Sequence, residues 1–272
     1  VNRIDARFAE LKGAERAGLI PFVTAGDPYP EGMVALLHAL VKGGADLIEI
    51  GVPFSDPMAD GPVIQHANER ALTKDVGLAQ IFGWVGEFRK TDAATPIVLM
   101  GYLNPVEIYG YARFARDAVT AGVDGVLLVD CPLEEAQTAQ ALEQAGLRRI
   151  FLSAPTTSEP RLAALCEAAR GFLYHVAFAG VTGANRLSLD AVRERVAAIK
   201  ARTCTPVAVG FGVRDAASAA AIAEFADAVV IGSALVERLA DADSAEAACA
   251  AAREFLAPIR AALDTGARAH AA

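Results

Sequence analysis

The chain has 272 residues, 54% of them apolar, a formal charge of −8 and four cysteines. This is room for one large α/β barrel or two ordinary domains, and with no linker stretch the expectation is a single domain over 1–272. Dispersed Lys and Arg exclude a nucleic-acid surface, the lack of an apolar run near 18 residues excludes a membrane span, and the spacing of Cys131, Cys166, Cys204 and Cys249 suits neither zinc nor a disulfide scaffold.

An amphipathic stretch over residues 3–16 predicts a helix ahead of the first strand, placed to cap a barrel floor. Acidic residues there replace the apolar core of an export signal, so a reducing cytoplasm is the expected setting. The first strand is expected at 20–23 and a helix at 31–41. Gly43-Gly44-Ala45-Asp46-Leu47-Ile48 then reads as a helix end, a short turn with Asp and a buried parallel strand. The same grammar recurs at 121–128 and 225–231. Apolar runs at 96–100, 149–152, 172–176 and 206–209 bring the strands to eight. Helical periodicity fills 78–89, 133–144, 159–169, 189–200 and 216–224. Strands alternating with helices about every thirty residues predict an α/β fold, a (β/α)8 TIM barrel with an extra N-terminal helix. A doubly wound open sheet is the alternative. The Ala-rich tail over 267–272 is expected to fray.

In such a barrel the loops after the strands hold the chemistry. Glu49 stands between Ile48 and Ile50 inside the second strand, sharing a face with Leu47, and so points into the mouth. A carboxylate there loses hydration unless it is paired or used. The following loop, residues 51–62, has three prolines and two acids and is too long for a simple connector. Asp60 can reach in from it, although taken singly it reads as a turn residue before Gly61. Two carboxylates in different surroundings are a common way to divide acid and base roles. Asp56, before Pro57, reads as turn chemistry.

Gly-rich segments follow the sixth, seventh and eighth strands: Gly180-Val181-Thr182-Gly183, Gly210-Phe211-Gly212 and Ile231-Gly232-Ser233. Glycines let backbone N–H groups approach an anion, and the helix beginning near Ser233 adds its positive end. Together they mark a phosphate site. Phe22, Met100, Tyr102, Leu127, Leu152, Tyr174 and Phe211 fall at strand ends, a lining suited to a flat aromatic group. His38 and His66 read as structural. His175 should face the helices, opposite to Tyr174. No cluster has metal-ligand spacing, so no metal is expected.

The segments 21–28, 49–62, 99–105 and 180–183 closely resemble the tryptophan synthase α-chain family, and the likeness runs nearly end to end. It implies a (β/α)8 barrel that cleaves indole-3-glycerol phosphate to indole and glyceraldehyde 3-phosphate by a cofactor-free retro-aldol reaction. It also implies a β-chain partner carrying pyridoxal phosphate, an αββα assembly, and transfer of indole through a tunnel to tryptophan synthesis. Carried over by motif position, Glu49 is the acid/base group, Asp60 accepts the indole N–H, and Tyr174 orients the acid or the substrate. Gly183, Gly212, Gly232 and Ser233 hold phosphate by backbone groups, and Thr182 belongs to a lid that meets the Asp60 loop. The chain departs from many members at Ala177 and Phe178, where the family often has Ser and a basic or polar residue. Rival readings are a standalone lyase releasing free indole, another phosphate-binding barrel, and a non-catalytic regulatory subunit.

Overall fold

The computed structural model describes residues 1–177, 189–210 and 212–270, with backbone alone at 136–139 and 266–270. Its strands are β1 (Gly18–Thr24), β2 (Ile48–Gly51), β3 (Ile97–Gly101), β4 (Gly125–Leu128), β5 (Arg148–Arg149), β6 (Phe151–Ser153), β7 (Leu173–Val176), β8 (Val207–Gly210) and β9 (Ala228–Ile231). All the pairings are parallel, in the order β5-β4-β3-β2-β1-β9-β8-β7-β6. The ends of that series, β5 and β6, are separated by Ile150 alone, whose N–H donates to the Val126 carbonyl at 2.9 Å. The sheet therefore closes into a TIM barrel whose fifth stave is two short pieces, so the nine strands among the described residues do the work of the eight expected.

The helices are α1 (Arg3–Gly13), α2 (Met33–Lys42), α3 (Pro62–Leu72), α4 (Leu78–Arg89), α5 (Leu103–Tyr109), α6 (Tyr111–Ala121), α7 (Ala136–Gln144), α8 (Glu159–Ala168), α9 (Leu189–Lys200), α10 (Ala216–Ala223), α11 (Ser233–Ala240) and α12 (Ala245–His270). Periodicity locates α4 and α9 to the residue, and α8 and α10 end one residue before the expected stop. α1 stops at Gly13, three residues early. A 3-10 turn, Pro30–Gly32, precedes α2, and α7 begins at Ala136 rather than 133. The tail expected to fray from Ala267 is helical through His270. Gly110, at a φ of 89°, breaks what would otherwise be one helix into α5 and α6.

Period-two alternation in the strands separates two cores. Residues such as Leu19, Val23, Ile48, Ile50 and Leu99 face outward into the large cluster under the helices. Ile20, Leu47, Val98, Leu127, Ile150, Phe172, Ala208 and Ala228 face inward. The floor of that interior is plugged by Ile4, Phe8 and Leu11 of α1, with Phe8 and Phe172 rings 5.6 Å apart. Burying each such side chain contributes about 2 kcal/mol. Asn2 caps α1 by accepting Ile4 N–H at 2.9 Å, and its amide donates to the Asp124 carbonyl at 2.9 Å, which fixes the plug in place.

The recurring turn aspartates have one physical job. Asp46 accepts the Leu19 N–H at 2.9 Å, Asp124 the Ile97 N–H at 2.8 Å, and Asp227 the Val207 N–H at 2.8 Å. Each clips the start of the preceding strand in sequence to the turn that begins its own. Each also meets a cation: Arg260 at 2.7 Å, Arg89 at 2.9 Å and Lys200 at 2.8 Å, respectively. These clamps hold the strand ends from below and leave the loops above free to carry chemistry.

Candidate active site

β2 places Glu49 on the same inward face as Leu47, one layer nearer the mouth, with Phe22 of β1 and Val98 of β3 beside it in register. Glu49 is 1% exposed, and neither carboxylate oxygen has a hydrogen-bond partner among the described residues. Burial, reinforced by the negative charge of Asp60, pushes its pKa up to about 8. This acid is therefore neutral at pH 7 and holds a proton it can deliver.

Asp60 is no simple turn residue. It is 7% exposed, and its Oδ2 accepts a hydrogen bond from Asn68 Nδ2 at 3.3 Å. The Tyr102 hydroxyl, just after β3, accepts the Ala59 N–H at 3.0 Å and lies beside the same carboxylate, whose charged form it favours. Burial raises the Asp60 pKa to about 6, less than for Glu49 because Asn68 and Tyr102 favour the charged form. At neutral pH the pair thus divides into one protonated and one ionised carboxyl group.

The loop that carries Asp60 is tied to α3. Pro62 occupies the first turn of that helix, where a missing N–H costs nothing. Gln65 Nε2 donates back to the Asp60 carbonyl at 2.8 Å. Arg70 grips Asp27, in the loop after β1, through two hydrogen bonds of 2.7 and 2.9 Å. Asn68, Gln65 and the Asp27–Arg70 pair are absent from the sequence reading. A signal existed for Asn68: it lies four residues after Ile64 and three before Ala71, a polar residue on the buried face of α3.

Of the expected lining, Phe22 and Tyr102 are buried, and Met100, Leu152 and Tyr174 are half-buried. Leu127 is fully buried among the interior side chains below them. Tyr174 interacts with both carboxylates, and burial followed by those charges raises its pKa well above the ordinary value. Its hydroxyl occupies the place a Cβ at position 210 would take, so Gly210 is required for this inward reach. His175 faces the other way, is fully buried, and meets Ser153 Oγ through Nδ1 at 3.0 Å. His66 is exposed beside Glu69 at 3.1 Å, and Asp56 is an exposed turn acid held by Ser55.

Across the mouth, Gly232 is the N-cap of α11 and Ser233 its first residue, exposed to solvent. The first N–H groups of a helix have no intrahelical acceptor, so this end can receive an anion. Gly212 follows β8 with a φ of 43° and open space where a Cβ would lie. Thr182, Gly183, Phe178 and Phe211 lie outside the described residues. Ala177 is buried. An apolar groove of about 480 Å³ borders the mouth, lined by Pro53, Phe54, Leu78, Asn104, Pro105 and Ile108 among others. Ile108 is 80% exposed on its rim, and nearby in the Asp60 loop Met58 is 73% exposed. No helix among the described residues is long and apolar enough to cross a membrane.

Comparison with known proteins agrees with this geometry. The family model described as tryptophan synthase alpha chain matches residues 8–263. A tryptophan synthase alpha chain of Xylella fastidiosa strain M12 is 58% identical over 265 residues, covering 97% of this chain and 99% of that one. One from Xanthomonas oryzae pv. oryzae is 58% identical over 266 residues with the same coverage. The crystal structure of tryptophan synthase subunit alpha from Legionella pneumophila superposes with a TM-score of 0.90 at 44% identity, covering 97% and 99% of the two chains. With the family model spanning nearly the whole sequence, the chain belongs to the tryptophan synthase alpha chain family.

Proposed function

We infer that the chain cleaves indole-3-glycerol phosphate to indole and glyceraldehyde 3-phosphate, as a carbon–carbon lyase in tryptophan biosynthesis. The observation that carries the reading is the divided pair: Glu49, raised to about 8, and Asp60, raised to about 6, on one barrel mouth. The neutral Glu49 carboxyl gives its proton to indole C3. The ring nitrogen becomes cationic, and ionised Asp60 accepts its N–H and offsets the charge. Glu49, now a carboxylate, removes the proton of the substrate hydroxyl next to the scissile bond. That C–O⁻ collapses to the aldehyde, and the electrons of the broken carbon–carbon bond return to the ring. Glu49 ends protonated as it began, so the cycle needs no cofactor in this chain.

Backbone groups at Gly212, Gly232 and Ser233, joined by Gly183, hold the phosphate at the far rim, and Thr182 belongs to the segment that closes over it. Phe22, Met100, Leu127, Leu152 and Phe211 supply the apolar surround of the indole ring, with Tyr102 edging it on the Asp60 side. Tyr174 orients the Glu49 acid or the substrate. Excluding water from this mouth strengthens both carboxylate interactions.

The apolar groove beside the Asp60 loop fits a partner chain, since isolated proteins seldom leave such surface uncovered next to a site. The partner is a β chain carrying pyridoxal phosphate, joined in an αββα assembly that receives indole internally, in the cytoplasm. The chain acts as a single domain, 1–272. Spectroscopic assay of indole release, with and without β chain, tests the reading: slow release alone and a large gain with the partner are expected. Equal rates would remove the coupling, and no release in either case would remove the activity.

A further inference from the structure

Asp60 is held in a way that its role as a charge acceptor does not by itself demand. Two different elements reach it: Tyr102 from the end of β3 and Asn68 from α3. The Tyr102 oxygen accepts the Ala59 N–H at 3.0 Å, which holds the hydroxyl beside the carboxylate, whose charged form it favours. Asn68, 4% exposed, adds a second donor at 3.3 Å. Both donors suit an ionised carboxylate. A protonated Asp60 would bring a donor of its own and accept these two donors more weakly than the carboxylate does. Behind this pair, Arg70 fixes α3 to Asp27, and the Tyr102 ring packs on Phe54 at 5.2 Å between centroids.

We propose that Tyr102 and Asn68 are positioning residues for the cleavage reaction: together they aim the Asp60 carboxylate at the ring nitrogen and keep it ionised while Glu49 beside it is neutral. The proposal rests on the retro-aldol reading. It adds to that reading a task for Tyr102 beyond lining the ring, and a role for a helix residue outside the mouth. The titratable groups facing Asp60 are Glu49 on β2, Tyr102 after β3 and Tyr174 on β7, with Asp130 behind Tyr102.

The test uses the full chain. Tyr102→Phe keeps the ring against Phe54 and removes the hydroxyl; Asn68→Ala removes the other donor independently. Each is expected to move the acidic limb of the kcat/KM profile upward by about one pH unit, the worth of one hydrogen bond to the charged form. Activity relative to the parent then falls about fourfold further at pH 6 than at pH 7.5, and the basic limb set by Glu49 stays in place. A merely structural lesion would lower the whole profile evenly. Titration of a 13C-carboxyl label in the ligand-free variants, read by NMR, gives the same displacement for Asp60 without any substrate. Acidic limbs and Asp60 titrations unmoved in folded variants would overturn the proposal, and Asn68→Ala decides alone where Tyr102→Phe does not fold. A parent chain that releases no indole would sink the assigned reaction, while the label titration still decides whether Tyr102 and Asn68 govern Asp60.

Discussion

Replacing Glu49 by Gln should stabilise the protein increasingly as pH rises. In the unfolded chain Glu49 ionises around its ordinary value of 4.5, whereas in the folded chain it keeps its proton up to about 8. Between these values the folded state binds the extra proton, so stability is full below 4.5 and is lost as pH rises through 8. Each unit costs about 1.4 kcal/mol, and the full penalty approaches about 5 kcal/mol. Glutamine has nearly the same shape and does not titrate. Because neither Glu49 oxygen is hydrogen-bonded among the described residues, the amide sacrifices no partner there. A constant offset from burying the amide is expected, and the slope is the readout. Denaturant unfolding of both proteins at half-unit steps from pH 5 to 9 should give a difference that grows by about 1.4 kcal/mol per unit and levels off above pH 8. A difference that stays flat across this range would mean that Glu49 is ionised in the folded chain, and the reasoning would fail.

The active form pairs neutral Glu49 with ionised Asp60, so cleavage should follow a bell-shaped kcat/KM profile with limbs near pH 6 and 8; a monotonic rise with pH would contradict the assigned roles. Asp124→Ala removes the Ile97 N–H acceptor and the partner of Arg89, whose side chain is only 10% exposed. It should cost about 3 kcal/mol or more of unfolding free energy, mostly because the buried Arg89 guanidinium loses its counter-charge, while a loss under 1 kcal/mol would deny the clamp its role. Ile108→Asp, on a residue 80% exposed, should leave unfolding within about 0.5 kcal/mol and abolish the rate gain given by the β chain. Retention of that gain would move the docking surface elsewhere.

Much of the barrel was legible because its signals are local and periodic. The Asp-bearing turns announced three strands, and the inward face of β2 followed from the shared parity of Leu47 and Glu49. The split of the fifth stave at Ile150 was hidden, since the run Arg149-Ile150-Phe151-Leu152 does not reveal where hydrogen bonding switches neighbours. Glu49 could be read from its isoleucine neighbours. Asp60 was ambiguous, because an Asp before Gly fits a turn as well as a site, and only burial with Tyr102 and Asn68 distinguishes the two. Those partners come from β3 and α3, elements whose meeting at the mouth is a property of closure rather than of any sequence window. The same holds for Arg70 and Asp27.

The central claim is that at pH 7 Glu49 holds a proton and Asp60 does not. Infrared difference spectra of the parent chain against Glu49→Gln and Asp60→Asn measure this directly, through the carbonyl stretch of a protonated carboxyl group. The band of a neutral acid should vanish with Glu49→Gln and persist with Asp60→Asn. A carboxylate band lost with Glu49→Gln, with no neutral-acid band at either position, would contradict the account.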